Sequence, residues 1–131
     1  MERKIINPWS WQDSLGFVQA NEVSGFRRVL VCSGQTAVNA VGEPQHAGDM
    51  RAQLALALDN LEEVLKGAGL ALSNVVRLNY YTTDVDLFLR EQEAAAARLA
   101  EHGCRPASTL LGVTRLAFPE LLVEIEATAV A

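Results

Sequence analysis

The chain has 131 residues, half of them hydrophobic, 6% aromatic and 21% charged, with a formal net charge of -5. This length makes residues 1–131 a single domain with a core of its own, and the acidic balance argues against nucleic acid as the main partner, since phosphate binding needs a basic footprint. No apolar run approaches the roughly 18 residues of a membrane span, and the opening MERKIINPWSW lacks the long apolar core of a signal peptide, so a cytoplasmic protein without a membrane partner is expected.

In chain order, residues 1–16 read as an irregular arm. Pro8 interrupts regular structure, and Trp9, Trp11 and Leu15 supply apolar surface to anchor the arm on the body. A Trp lid over a pocket is the functional alternative. Phe17 to Val23 and Arg28 to Ser33 read as two strands joined through Ser24-Gly25, a hairpin-type connection. The second ends in Ser33-Gly34-Gln35, where Gly marks a turn or a close backbone approach. Val38 to Pro44 carries loop and turn chemistry.

Asp49 to Ala68 is the clearest helix. Leu54, Leu58, Leu61 and Leu65 recur on one face, and Gly67 and Gly69 end it. Asn74 to Thr83 reads as a strand with Val76, Leu78, Tyr80 and Thr82 on one face. Val75, Arg77, Asn79 and Tyr81 share the other, a mixture suited to a subunit interface. Asp84 to Asp86 caps a second helix over Leu87 to His102, and Gly103 stops it. Ala107 to Val113 and Leu121 to Ala129 close the chain as strands, with Pro119 in the turn between them. The order is β-β-α-β-α-β-β. Two helices of this length can share one face of a mixed sheet. The other face then needs burial against further copies, so a closed homo-oligomer is expected.

Strand alternation puts Val123, Ile125, Ala127 and Ala129 on one face of the last strand. Leu122, Glu124, Glu126 and Thr128 lie on the other. Paired carboxylates are unusual strand residues. They either line a solvated or subunit-facing surface, or one of them faces a pocket and moves protons. Cys32, Cys104, His46 and His102 show no metal-ligand spacing, so no metal site is expected and both thiols read as buried structural groups.

Several segments together resemble the YjgF/RidA family, the reactive intermediate/imine deaminases, also labelled endoribonuclease L-PSP. They are VLVCSGQTAVNAVGEP, LALALDNLEEVLKGAGLALSNVVRLNYYTTDVDLF, and RPASTL followed by VEIEATAV. The resemblance runs from about Phe17 to Ala129. It implies an α+β, chorismate-mutase-like fold, with a mixed β-sheet and two helices on one face. It further implies a homotrimer whose three sheets form an inner barrel, with ligand clefts between adjacent subunits. The founding activity is hydrolysis of enamines and imines such as 2-aminoacrylate to keto acids and ammonia, without a cofactor.

Carried onto this sequence, the resemblance implies a catalytic Glu124. Phe17, Ser33, Gly34, Gln92, Ser108 and Thr109 then contact the ligand. Phe17 stands at a Tyr position and Gln92 at an Asn position of the family. Arg115 matches an Arg of the family's ARL segment, and Arg105 lies three residues before Ser108. Ser108 occupies the place of the Arg that clamps the substrate carboxylate. A serine donates one neutral hydrogen bond and neutralises no carboxylate, and a hydrogen bond to a charged group contributes about 1.5–3 kcal/mol. The chain thus resembles a divergent branch that lacks the clamp. The expected activity is hydrolysis of a reactive imine, enamine or related carbonyl compound, recognised without a guanidinium. The alternatives are a non-catalytic trimer that binds a small molecule and, against the net charge, an endoribonuclease or translation inhibitor.

Overall fold

The computed structural model describes residues 1–131. Its elements in chain order are β1 (Glu2–Ile6), β2 (Ala20–Ser24), β3 (Val29–Val31), α1 (Met50–Gly67), β4 (Val75–Thr82), α2 (Val85–Glu91), α3 (Glu93–Glu101), β5 (Ala107–Gly112) and β6 (Val123–Val130). Four strands form one sheet in the order β3-β6-β4-β5, and β1 and β2 form a separate ribbon. β6 pairs antiparallel with β3 and β4, while β4 pairs parallel with β5. The mixed α+β architecture agrees with the expectation from sequence.

The core lies between this sheet and the helices. Leu54, Leu58, Leu61 and Leu65 of α1 are buried against Val123, Ile125, Ala127 and Ala129 of β6, with Phe88 and Leu99 from the later helices. Burying each Leu contributes roughly 1.5–3 kcal/mol, so the leucine stripe fixes how α1 lies on the sheet. Asp49 caps α1 by accepting a hydrogen bond from the Ala52 N–H at 3.0 Å. At the other end Gly69, with φ of 72°, turns the chain in the left-handed region. The opposite sheet face carries no helix. It presents Arg77, Asn79, Tyr81, Thr109, Glu124, Glu126 and Thr128, together with Val31, which is 77% exposed.

Five local expectations are corrected. The arm is not wholly irregular, because β1 pairs in register with β2 from Glu2↔Ser24 to Ile6↔Ala20. Its charged residues have weak β-propensity, and tertiary contacts supply what the local sequence lacks. The Arg3 guanidinium donates to the carbonyls of Ser73 and Arg105 at 3.2 and 2.6 Å, and to Asn21 Oδ1 at 3.0 Å. The two Trp side chains do not anchor the arm, being 60% and 62% exposed at Trp9 and Trp11. Gln12, fully buried, takes that role by donating to the Trp9 carbonyl and accepting from Gln19.

The Ser24-Gly25 turn does not make a hairpin of β2 and β3. It carries the chain from the ribbon to the main sheet, where the N–H groups of Arg27 and Arg28 both donate to the Ala131 carbonyl. The second helix is broken. At Gln92 ψ is -12°, against about -42° for an ideal helix, and α2 gives way to α3. Finally, a register shift between Val75 and Arg77 bulges β4 and turns Val75, not Val76, into the core.

Candidate functional site

The residues expected to meet a ligand fall into two groups, and strand alternation decides which belongs to which. Ser108 of β5 stands beside Leu78 of β4, on the face the helices cover. Thr109, its neighbour, stands beside Asn79 on the open face, and its hydroxyl accepts a hydrogen bond from Arg77 at 2.6 Å. Thr109 is therefore not brought together with Ser108, although the two are adjacent in the motif.

The first group surrounds a cavity of about 200 Å³, lined by Leu15, Gly16, Phe17, Tyr80, Phe88, Leu89, Gln92, Ser108 and Leu110. Three expected residues, Phe17, Gln92 and Ser108, meet here. Each arrives for a local reason. Gly16, with φ of 79°, follows the single turn Asp13–Leu15 and lets the arm approach α3 closely, since a Cβ there would lie 3.3 Å from Ala96 Cβ. The next residue, Phe17, then stacks edge-on against Trp11 with ring centroids 5.9 Å apart. Gln92 reaches the wall because the helix breaks at that residue. Tyr80 and Phe88 pack with centroids 5.1 Å apart, and burial pushes the Tyr80 phenol well above its ordinary range. The Ser108 Oγ is buried and makes no hydrogen bond.

The second group lies on the open face. Gln35 bridges to Ile125 of β6, with N–H···O distances of 2.6 and 2.9 Å, which lays the Ser33-Gly34-Gln35 turn along the strand. Glu124 fills the space over Gly34 so closely that a Cβ on residue 34 would lie 1.7 Å from Oε1. The glycine is required by the carboxylate, which makes the turn and the last strand one unit. Ser33 is exposed beside it. Burial, and then the Glu126 charge, push the Glu124 carboxyl above its ordinary range.

Glu126 behaves in the opposite way. Its Oε1 accepts from the Tyr81 hydroxyl at 2.5 Å and from Asn79 Nδ2 at 3.1 Å. These hydrogen bonds hold its carboxyl below the ordinary range and raise the Tyr81 phenol. Two carboxylates on one strand face are thus driven apart in proton affinity, the usual arrangement when one is to exchange a proton and the other to stay ionised. Within one chain the Ser108 cavity and Glu124 lie on opposite faces of the sheet.

Arg105 lines a neighbouring cavity of about 290 Å³ together with Asp13, Cys104 and Phe17, which both cavities share. Arg115 turns back to the Leu116 carbonyl at 3.3 Å. Both thiols are buried, with Cys104 pushed up to about 12 by desolvation. Sequence reading missed Tyr80, Phe88, Leu89 and Leu110 as cavity walls. The period-two pattern of β4 and β5 was the available signal for Tyr80 and Leu110, which share a face with Leu78 and Ser108.

A profile of the family described as endoribonuclease L-PSP matches residues 14–131. A 2-iminobutanoate/2-iminopropanoate deaminase of Escherichia coli is 32% identical over 104 residues, covering 78% of this chain and 79% of that protein. A Rid-family protein of unknown function from Yersinia pestis, solved by crystallography, has a TM-score of 0.90 at 39% identity, covering 100% of both chains. The crystal structure of Escherichia coli TdcF with bound serine has a TM-score of 0.71 at 28% identity, covering 88% of this chain and 87% of that one. With the profile spanning both halves of the candidate site, the chain belongs to the endoribonuclease L-PSP family, the Rid or YjgF proteins.

Proposed function

We propose that the chain is a cytoplasmic homotrimer that hydrolyses a reactive imine, enamine or related carbonyl compound in clefts shared between subunits. The observation that carries this reading is the Glu124 carboxyl, seated over Gly34 with its proton affinity raised. A carboxyl tuned upward holds and returns a proton nearer neutral pH than an ordinary glutamate. The opposite-face placement of Ser108 and Glu124 supports a cleft completed by a second copy, because one chain cannot present both to one small molecule. The uncovered polar sheet face would then form the inner barrel. The name of the Escherichia coli relative, an imine deaminase, supports the reaction class.

In this reading Glu124 gives its proton to the nitrogen of an imine, or to the β-carbon of an enamine, leaving an iminium in either case, and its carboxylate then draws a proton from water. The water oxygen adds to the carbon of the C=N bond, forming a carbinolamine. Glu124 returns that proton to the carbinolamine nitrogen, the C–N bond breaks, and the hydroxyl proton passes to the carboxylate as the C=O forms, so imine plus water become carbonyl compound plus ammonia. Phe17 and Trp11 would wall the cleft, while Ser33, the backbone at Gly34, Gln92 and Ser108 position the ligand. Thr109, tied to Arg77, would serve the shared face between subunits rather than the cavity.

The test is imine hydrolysis by wild type and Glu124→Gln. Imines of simple primary amines are generated in place by an amine oxidase, and their loss is followed against semicarbazide trapping. Wild type accelerates the loss, and the substitution lowers that acceleration by about 10²–10⁴-fold. Unchanged acceleration in Glu124→Gln sinks the assignment, and a solution mass near the 14.2 kDa of one chain sinks the shared cleft.

A further inference from the structure

Nine residues line the cavity beside Phe17, and none carries a charge. Phe17, Phe88 and Leu110 supply apolar wall, and the polar groups are the Gln92 amide, the Ser108 hydroxyl and the Tyr80 phenol. Gln92 makes no capping hydrogen bond with its side chain at the start of α3. The Ser108 Oγ is buried without a partner, a state that leaves hydrogen-bonding capacity unspent. Rotation about χ1 aims this hydroxyl differently without moving the strand. Arg105 is not among these walls; it lines the neighbouring cavity, with Asp13.

We infer that the part of the substrate seated in this cavity is neutral and apolar, bears one hydrogen-bonding group recognised by Ser108 and Gln92, and is not a carboxylate. The inference rests on reading this cavity as part of the substrate cleft. A carboxylate placed here gives up its hydration and meets no cation among the nine residues this chain supplies, which is the costly way to bury a charge. A neutral amide or ester carbonyl gives up less and recovers it in hydrogen bonds. The aromatic and leucine walls favour an alkyl or aryl substituent beside that group.

The experiment is calorimetric binding of a matched pair, 4-methyl-2-oxopentanoate and 4-methyl-2-oxopentanamide, to the whole protein. The amide binds wild type about tenfold more tightly than the acid, a difference on the scale of one hydrogen-bonded group. Ser108→Ala weakens the amide by about fivefold and leaves the acid unchanged. Ser108→Arg reverses the order, and if that variant does not fold, Gln92→Leu provides the second weakening of the amide. Equal or tighter binding of the acid by wild type overturns the inference, as does failure of both compounds to bind. An amide that binds Ser108→Ala unchanged removes Ser108 from the recognition. Amide binding by a wild-type protein that hydrolyses no imine shows failure of the hydrolytic reading separately, as binding without turnover.

Discussion

The two faces of β6 alternate between buried and half-buried residues along one strand. Val123, Ile125, Ala127 and Ala129 project into the core and are almost wholly buried. The alternate residues Glu124 and Glu126 project to the other face, where one sits over Gly34 and the other is held by Tyr81 and Asn79. One strand therefore does two jobs without a change of backbone. The covered face is finished within a single chain by packing. The open face is finished by hydrogen bonds and charge, and it is there that side chains remain free to exchange protons.

This contrast breaks most visibly on the covered side. Ile125→Ala removes a fully buried side chain from the centre of the core cluster and lowers stability by about 3 kcal/mol, read by urea denaturation. A cost below about 1 kcal/mol means that the sheet and α1 collapse to fill the space. Gly34→Ala tests the junction of turn and strand. The new methyl occupies the position of the Glu124 carboxylate, so stability falls by about 1–3 kcal/mol and imine hydrolysis falls with it. Retention of both marks a turn loose enough to move away.

The subtlest test sets the two carboxylates against each other. Glu126 has a folded pKa held below 4.5 by its hydrogen bonds. It therefore contributes stability above the unfolded value, which is lost as pH falls from about 4.5 through the folded pKa. Glu124 has a folded pKa raised above 4.5. Its contribution is full below about 4.5 and is lost as pH rises through the folded value. Tyr81→Phe moves the Glu126 titration upward toward 4.5, followed by carboxyl NMR. The stability difference from wild type shrinks as the acid limb is crossed. A Glu126 titration that does not move removes the Tyr81 hydrogen bond from the account.

Most of the architecture was written in local pattern. The leucine stripe of α1 matched the helix to within one residue at each end, and the strand patterns placed β4 and β5 to within one residue and β6 to within two, because one face of each packs on the core and enforces its period. β1 was not legible, since its pairing depends on Arg3 reaching carbonyls more than 70 residues along the chain at Arg105. The pairing of β3 with β6 instead of β2 was hidden for the same reason: Ser24-Gly25 announces a turn, and a turn does not name the partner strand. Likewise nothing in the run of helix formers near Gln92 announced the break that brings this residue to the cavity.

For the site, sequence alone fixed the inventory: Glu124, the Ser33-Gly34-Gln35 turn, Phe17, Gln92 and a Ser at position 108 where the resemblance expects a cation. Alternation also assigned the faces of the β6 residues and of β4 from Arg77 onward, whereas the bulge put Val75 in the core in place of Val76. Tertiary structure decided the grouping. It put Ser108 with Phe17 and Gln92, gave Thr109 to Arg77, and laid Gly34 under Glu124. It also drove the proton affinities of Glu124 and Glu126 in opposite directions. The physical reason is range. Alternation and helical period act over a few neighbouring residues. A carboxyl's proton affinity and a cavity's polarity are set by whatever distant segments the fold brings within hydrogen-bonding distance.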